Sequence, residues 1–206
     1  MSVSSLTKFT VPLASDQSAS NQGLLMPKLK YRFRVSFENF GVSQPVTELT
    51  KQVIDFKRPS VNFASATIDV YNSKVYLAGK PEWQTVTCNL RDDVSGAVSK
   101  LVGEQIQKQF DFYEQSSASS GIDYKFVTRV EMLDGGNGAY QPNILETWEL
   151  YGCFLETIDY GDLNYSSGTD PVTVALTIRY DNAIQTPLQS GVGSMVGRTL
   201  GSVITG

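Results

Sequence analysis

The side chains that most often carry catalysis are sparse in this sequence. Its 206 residues include no histidine, which removes Ser-His-Asp and Cys-His nucleophile systems, imidazole proton shuttles and every zinc site built on imidazole. The two cysteines, Cys88 and Cys153, sit far apart in apolar, strand-like surroundings. They read as buried free thiols that behave as small hydrophobes. Asp92-Asp93 stands just before an amphipathic run, where two carboxylates suit a helix N-terminus better than a metal clamp. No D-x-D-x-D-G calcium loop occurs. The glycine-rich run Asp134-Gly135-Gly136-Asn137-Gly138 leads into neither a helix nor Gly-Lys-Ser/Thr, so it is a turn and not a phosphate cradle. No catalytic, cofactor-binding or metal-ligating residue is expected, and an enzyme is the class with least support.

The charge pattern says more than the functional groups do. The net charge of −4 argues against a protein whose task is gripping nucleic acid. Its distribution is segregated, however. Lys28, Lys30, Arg32, Arg34, Lys51, Lys57 and Arg58 crowd the early chain against only Glu38, Glu48 and Asp55. Glu146, Glu149, Glu156, Asp159, Asp162, Asp170 and Asp181 crowd its end, with Arg179 the exception. Such segregation fits plain solvated surface, complementary ends that stack on copies of the same chain, or acidic strands lining a passage through which a polyanion moves without sticking.

The elements that carry these charges are mostly strands. Residues 27–40 alternate Tyr31, Phe33, Val35 and Phe37 with Lys30, Arg32, Arg34 and Ser36, a strand with one apolar and one basic face. That basic row reads as a solvated face, a nucleic-acid contact or, the reading the later acids favour, a complement to a partner's acidic patch. Residues 46–58 predict a second, more ambiguous strand, stopped by Pro59. Residues 60–79 hold two short alternating runs, Ala66–Tyr71 and Lys74–Leu77, that meet at Asn72-Ser73 in acceptable hairpin chemistry, inside a long excursion carrying Phe63, Tyr71 and Tyr76. An excursion of this size suggests reach across to another molecule.

Residues 82–90 form another strand. The period then changes: Val94, Val98, Leu101, Val102, Ile106, Phe110 and Tyr113 mark one face of a helix over about 94–114, with Asp92, Asp93 and Ser95 as candidate caps. A lone helix of this kind predicts a lid on a sheet. Strands resume at 124–133, 146–158 and 172–180. In the last of these the row Val172, Val174, Leu176, Ile178 and Tyr180 predicts the core face, leaving Thr173, Thr177 and Arg179 outward.

Both ends read as arms. Residues 1–26 are Ser-rich with few anchors (Leu6, Phe9, Val11 and Leu13), so they predict either a floppy end or a segment ordered by a neighbouring subunit. The tail over 184–206 is mostly Gly, Ser and Val. Neither a signal sequence nor a run of about 20 apolar residues is present, so no membrane anchor is expected.

Taken in order, KYRFRVSF, then DVYNSKVYLAGKPEWQTVTCNLRDD before the helix, then WELYGCFLETIDYGDLNYSSGTDPVTVALTIRYDNA resemble the tail tube proteins of contractile-tailed, myovirus-type bacteriophages, especially the longer versions of cyanophages. The resemblance covers roughly residues 27–183. It implies a mainly β domain of two packed antiparallel sheets, a sandwich or barrel-like tail tube fold, with one flanking helix and extended terminal arms. It further implies a virion protein assembled in the host cytoplasm: hexameric rings, stacked into a tube that encloses the channel for DNA ejection. The implied partners are further copies of the chain, the tail sheath protein, baseplate and tube-initiator proteins, and a tape-measure protein in the lumen. DNA would pass without specific binding, and no cofactor is implied.

Within that frame Phe63, Tyr71, Tyr76, Arg58, Arg32 and Arg34 are the expected contacts between subunits or rings. Thr173, Thr177, Arg179 and Glu149 are the expected polar groups facing a lumen or neighbour. Two alternatives stand beside the major tube subunit. One is a minor tube-fold protein that starts or ends the tube at the baseplate. The other is a monomeric β-sandwich that binds a ligand through exposed Trp and Tyr.

Overall fold

The computed structural model describes residues 28–42, 47–135, 142–166 and 168–187. The expected N-terminal arm, the chain beyond 187 and the middle of the glycine-rich turn lie outside the described residues. Residues 28–32 are the described part of a unit, residues 1–32, separate from the rest of the chain. They form a turn in which the Arg32 N–H donates to the Leu29 carbonyl at 3.2 Å.

From Phe33 onward the elements are β1 (Phe33–Glu38), α1 (Thr47–Gln52), β2 (Val53–Phe56), β3 (Ser60–Val70), β4 (Ser73–Gln84), β5 (Val86–Arg91) and α2 (Ala97–Gln109). There follow β6 (Phe110–Asp111), β7 (Ser116–Ser117), α3 (Gly121–Tyr124), β8 (Phe126–Leu133), β9 (Ile144–Asp159), β10 (Thr173–Arg179) and β11 (Asn182–Pro187). The fold is mainly β, antiparallel throughout, with few helices.

β9 organises the domain because its 16 residues are long enough to belong to two sheets. Its first part pairs with β8, which pairs in turn with β1, and on its other side with β11. Its last part pairs with β10, and the order continues through β5 to β2. The division falls at Gly152, whose φ of 68° is left-handed. A Cβ there would lie 2.1 Å from Asp181 Oδ2. Only glycine can turn the strand at that point.

The inner rows of both sheets meet in one core. Val35, Phe37, Phe126, Val130, Trp148 and Leu150 come from the first sheet, and Val86, Cys88, Leu90, Leu155, Val174, Leu176 and Ile178 from the second. The predicted alternation of β10 therefore holds for Val174, Leu176, Ile178 and the following Tyr180, while Val172 lies exposed before the strand. α2 adds Val98, Leu101 and Val102 to the same core, as a lid does. Asp93 starts the helix by accepting from the Ala97 N–H at 3.3 Å and the Ser95 hydroxyl at 2.7 Å. Those bonds hold its carboxyl below the usual range.

Five expectations change. The strand expected over 82–90 is divided at Thr85, its start belonging to β4 and the rest to β5. The strand expected over 46–58 is helical in its first half: α1 turns so that Leu49 is a fully buried peg, and only β2 is extended. The helix is shorter than 94–114, because Val94 is exposed before it and Phe110 and Tyr113 follow its end. The strand over 27–40 narrows to β1. The chain stays in the sheet through β11, so the segment expected to leave as an arm at 184 begins inside a strand laid on β9.

α2 also uses amides that its apolar stripe did not announce. Gln105 is fully buried, accepting from the Gly41 N–H at 3.1 Å and donating to the Tyr124 carbonyl at 2.6 Å. One turn later Gln109 accepts from the Leu155 N–H at 2.9 Å and donates to the Leu155 carbonyl at 3.0 Å. A side-chain amide thus stands where a ladder partner would, satisfying backbone groups at the end of β8's pairing.

Candidate assembly surface

The excursion over 60–79 is not irregular. β3 and β4 form a two-stranded sheet of their own, paired from Ser60↔Gln84 to Val70↔Ser73. With 11 residues in β3 it extends about 35 Å at ~3.3 Å per residue. The turn is Tyr71-Asn72, one residue earlier than the sequence suggested, and Tyr71 takes φ 46°. The register shifts between Phe63 and Ser65, which leaves an extra residue in β4. Gly79 supplies the space, since a Cβ there would lie 2.7 Å from the Ala64 carbonyl oxygen. Pro81 is tolerated because the pair has free edges.

Directly opposed residues share a face. Ile68 opposes Val75 and Ala66 opposes Leu77, while Thr67 opposes Tyr76 and Asp69 opposes Lys74. Beyond the bulge, one face is thus apolar and the other polar. Ile68, Val70, Val75 and Leu77 are all exposed within the chain, as are Phe63, Tyr71 and Tyr76. Tyr71, at the tip, is 99% exposed. A lone hairpin is marginal in water, and a continuous apolar face of this kind marks a surface that another molecule covers.

The root of the hairpin is tied down more firmly. The Lys57 N–H donates to the Thr87 carbonyl at 2.8 Å. The Trp83 ring packs on Tyr180 at 5.8 Å between centroids. Burial pushes the Tyr180 hydroxyl up to about 12. Arg58 reaches Glu146 at 2.9 Å.

The other expected site residues fall in separate places. Arg32 is in the N-terminal unit, donating to the Tyr31 hydroxyl at 3.2 Å. Arg34 lies on the outer face of β1 and donates to Glu131 at 2.7 Å. Arg34 and Arg58, expected to complement a partner, therefore have carboxylate partners within the chain. Glu149 sits on the outer face of the first sheet between Arg129, at 3.0 Å, and the Tyr151 hydroxyl, at 2.5 Å. The Tyr151 hydrogen bond and then Arg129 hold the Glu149 carboxyl below its usual range. Arg129 also reaches Glu38 at 3.1 Å.

Thr173, Thr177 and Arg179 lie on the outer row of the second sheet, with Arg179 paired to Glu156 at 3.3 Å. The four residues expected to face a lumen or neighbour thus occupy the outer faces of two sheets. Sequence reasoning found the alternating runs but named only Phe63, Tyr71 and Tyr76 as contacts, and not the apolar stripe of Ala66, Ile68, Val70, Val75 and Leu77. It also missed Glu146, which looked like one more surface acid.

Among the described residues no group of three or more Cys, Asp or Glu side chains could hold a metal ion. No helix of the described residues is long and apolar enough to cross a membrane. Neither a protein-family model nor a curated protein matches the sequence. Solved structures do. A chain of the anti-feeding prophage baseplate superposes with a TM-score of 0.60 at 13% identity, covering 81% of this chain and 100% of that one. A chain of an extracellular contractile injection system, titled as its sheath/tube terminator in the extended state, gives 0.57 at 14%, covering 78% and 97%. A chain of the sheath-tube complex of such a system gives 0.52 at 16%, covering 80% and 95%. This chain has a tail-tube-like fold. Within that fold, the free hairpin and the paired charges of the outer sheet faces are the features that bear on assembly.

Proposed function

We propose that this chain is a structural subunit of a contractile tail tube, most economically the major subunit. In that role, stacked hexameric rings of it enclose the channel for DNA ejection inside a sheath. The hairpin carries this reading: it is a long, two-faced arm whose apolar side no described residue of its own chain covers, and a neighbouring copy in the same or the next ring would cover it. An arm on one part of the surface and its receptor on another make a heterologous contact, which closes into a ring or continues as a stack. The outer sheet faces suit a passage wall. Arg34, Arg129 and Arg179 each stand against a carboxylate, so a passing polyanion meets cations that are already compensated. Sheath, baseplate and tape-measure proteins are the partners this role implies, in a phage particle.

Replacing residues 64–80 by a short Gly-Ser turn joins Phe63 to its ladder partner Pro81. The expected product is a folded monomer that forms neither rings nor tubes in negative-stain micrographs. Normal tubes from that variant would refute the reading. A second role is favoured by a particular observation: two of the similar structures are titled as a sheath/tube terminator and a tube-terminating cap. A terminator occurs in a few copies per particle and a tube subunit in many, so quantitative mass spectrometry of particles separates them. The monomeric ligand-binding alternative keeps exposed tyrosines, Tyr71 and Tyr76 among them, but has no exposed tryptophan to use, because Trp148 is buried and Trp83 packs against the core.

A further inference from the structure

Glu146 stands on the inner row of β9, beside Trp148 and Leu150, and is 3% exposed. A carboxylate there is costly unless donors meet it. Three converge on its Oε1: Arg58 Nη2 at 2.9 Å, Trp148 Nε1 at 2.6 Å and Gln185 Nε2 at 2.8 Å. They come from three segments. Trp148 belongs to β9 itself, Gln185 to the terminal strand β11, and Arg58 to the short link between β2 and the hairpin's first strand. Arg58 is half-exposed, so its charge is held at the edge of the core by this one buried oxygen.

We infer that Glu146 is the positioning residue of the hairpin, coupling its direction to the docking of the terminal strand. The inference rests on the reading of the hairpin as the arm that docks on a neighbour. The other ties at the root, Lys57 to Thr87 and Trp83 to Tyr180, lead towards β5 and the end of β10. Arg58–Glu146 ties the root to the first sheet. While β11 is undocked, that edge of β9 is open, Glu146 is hydrated and its attraction for Arg58 is screened. Once β11 covers the edge, water leaves, Gln185 supplies a hydrogen bond, and the carboxylate draws Arg58 inward. By linkage the coupling is reciprocal: fixing the root favours the docked terminal strand. Residues 58 and 185, 127 positions apart in sequence, thus act on assembly through one oxygen atom.

The test uses the full chain with Arg58→Gln, Gln185→Leu, the double variant, and Arg58→Lys as the conservative change. Two quantities are read: hydrogen exchange of β3–β4 and of β5 and β10 in the monomer, and the protein concentration at which tubes form. Arg58→Gln and Gln185→Leu are each expected to speed exchange in the hairpin about tenfold and leave β5 and β10 unchanged. Each is expected to raise the concentration for tube formation about tenfold, the double variant no more than the worse single one, with Arg58→Lys recovering most of the loss. Hairpin exchange unchanged by Gln185→Leu, or effects of the two changes that simply multiply, would overturn the inference. The exchange measurement reads the coupling without assembly. Tubes from the variant lacking residues 64–80, together with linked exchange in the full chain, would sink the docking role and leave the coupling standing.

Discussion

In β10 the row Val174, Leu176 and Ile178 alternates with Thr173, Ala175 and Thr177, and the apolar row is buried. In β3 the row Ala66, Ile68 and Val70 alternates with Thr67 and Asp69, and the apolar row is exposed. Local pattern and β-propensity are alike in the two strands. What differs is company. β10 lies between β9 and β5 with a second sheet and a helix over its inner face, whereas β3 has β4 alone. An amphipathic strand is half of a statement, and the other half is supplied by whatever covers it. In the sandwich the cover is intramolecular; for the hairpin no described residue of the chain supplies it, and the proposed cover is another copy. The two regions should therefore respond oppositely to mutation, one in stability and the other in association.

The sharpest contrast is at the strand bend. Gly152→Val puts a β-branched residue at a left-handed φ and against Asp181, and is expected to cost about 2–6 kcal/mol of folding stability in denaturant titrations. Next comes a matched pair of truncations. Leu176→Ala is expected to destabilise the monomer by about 2–5 kcal/mol. Ile68→Ala should stay within about 0.5 kcal/mol yet weaken tube formation. Equal losses of stability from both would mean that the hairpin face is covered within its own chain.

The smallest effect reads the sandwich alone, because both thiols are there. Burial pushes the Cys88 thiol up to about 12 and the Cys153 thiol up to about 11. At pH 8 neither should react with a thiol reagent until the sandwich opens. Above pH ~9 an unfolded chain releases thiol protons that the folded chain keeps. Stability is then full below that pH and falls as pH rises, by at most about 1.4 kcal/mol per pH unit for each thiol. Denaturation midpoints at pH 8 and 10 check the slope, and Cys88→Ala should remove about half of it. Rapid labelling of the native monomer at pH 8 would show that the sandwich opens as readily as the hairpin.

The periodicities of 2 and 3.6 determined most of the architecture. β1, β8, β9, β10 and the body of α2 lie where alternation or helical spacing puts them, because burial rewards one face of each; the strand read over 82–90 is instead divided at Thr85 between β4 and β5. The excursion was also readable as a segment with outward business, since its aromatics had no helix to cover them. Sequence alone could not tell that Thr47–Gln52 would coil, because one apolar residue, Leu49, sets no period. It suggested a hairpin at Asn72-Ser73 but could not tell how far the ladder runs, because pairing depends on a register that slips at Gly79. Nor could it tell that Arg34 and Arg58 meet carboxylates of the same chain. Charge segregation along a sequence does not carry over to space when antiparallel pairing lays residue 34 beside 131 and brings 58 to 146. Glu146 shows the limit most plainly. As a residue type it belongs on a surface, and only the tertiary structure, by laying β11 on β9, makes it the buried oxygen on which Arg58, Trp148 and Gln185 converge.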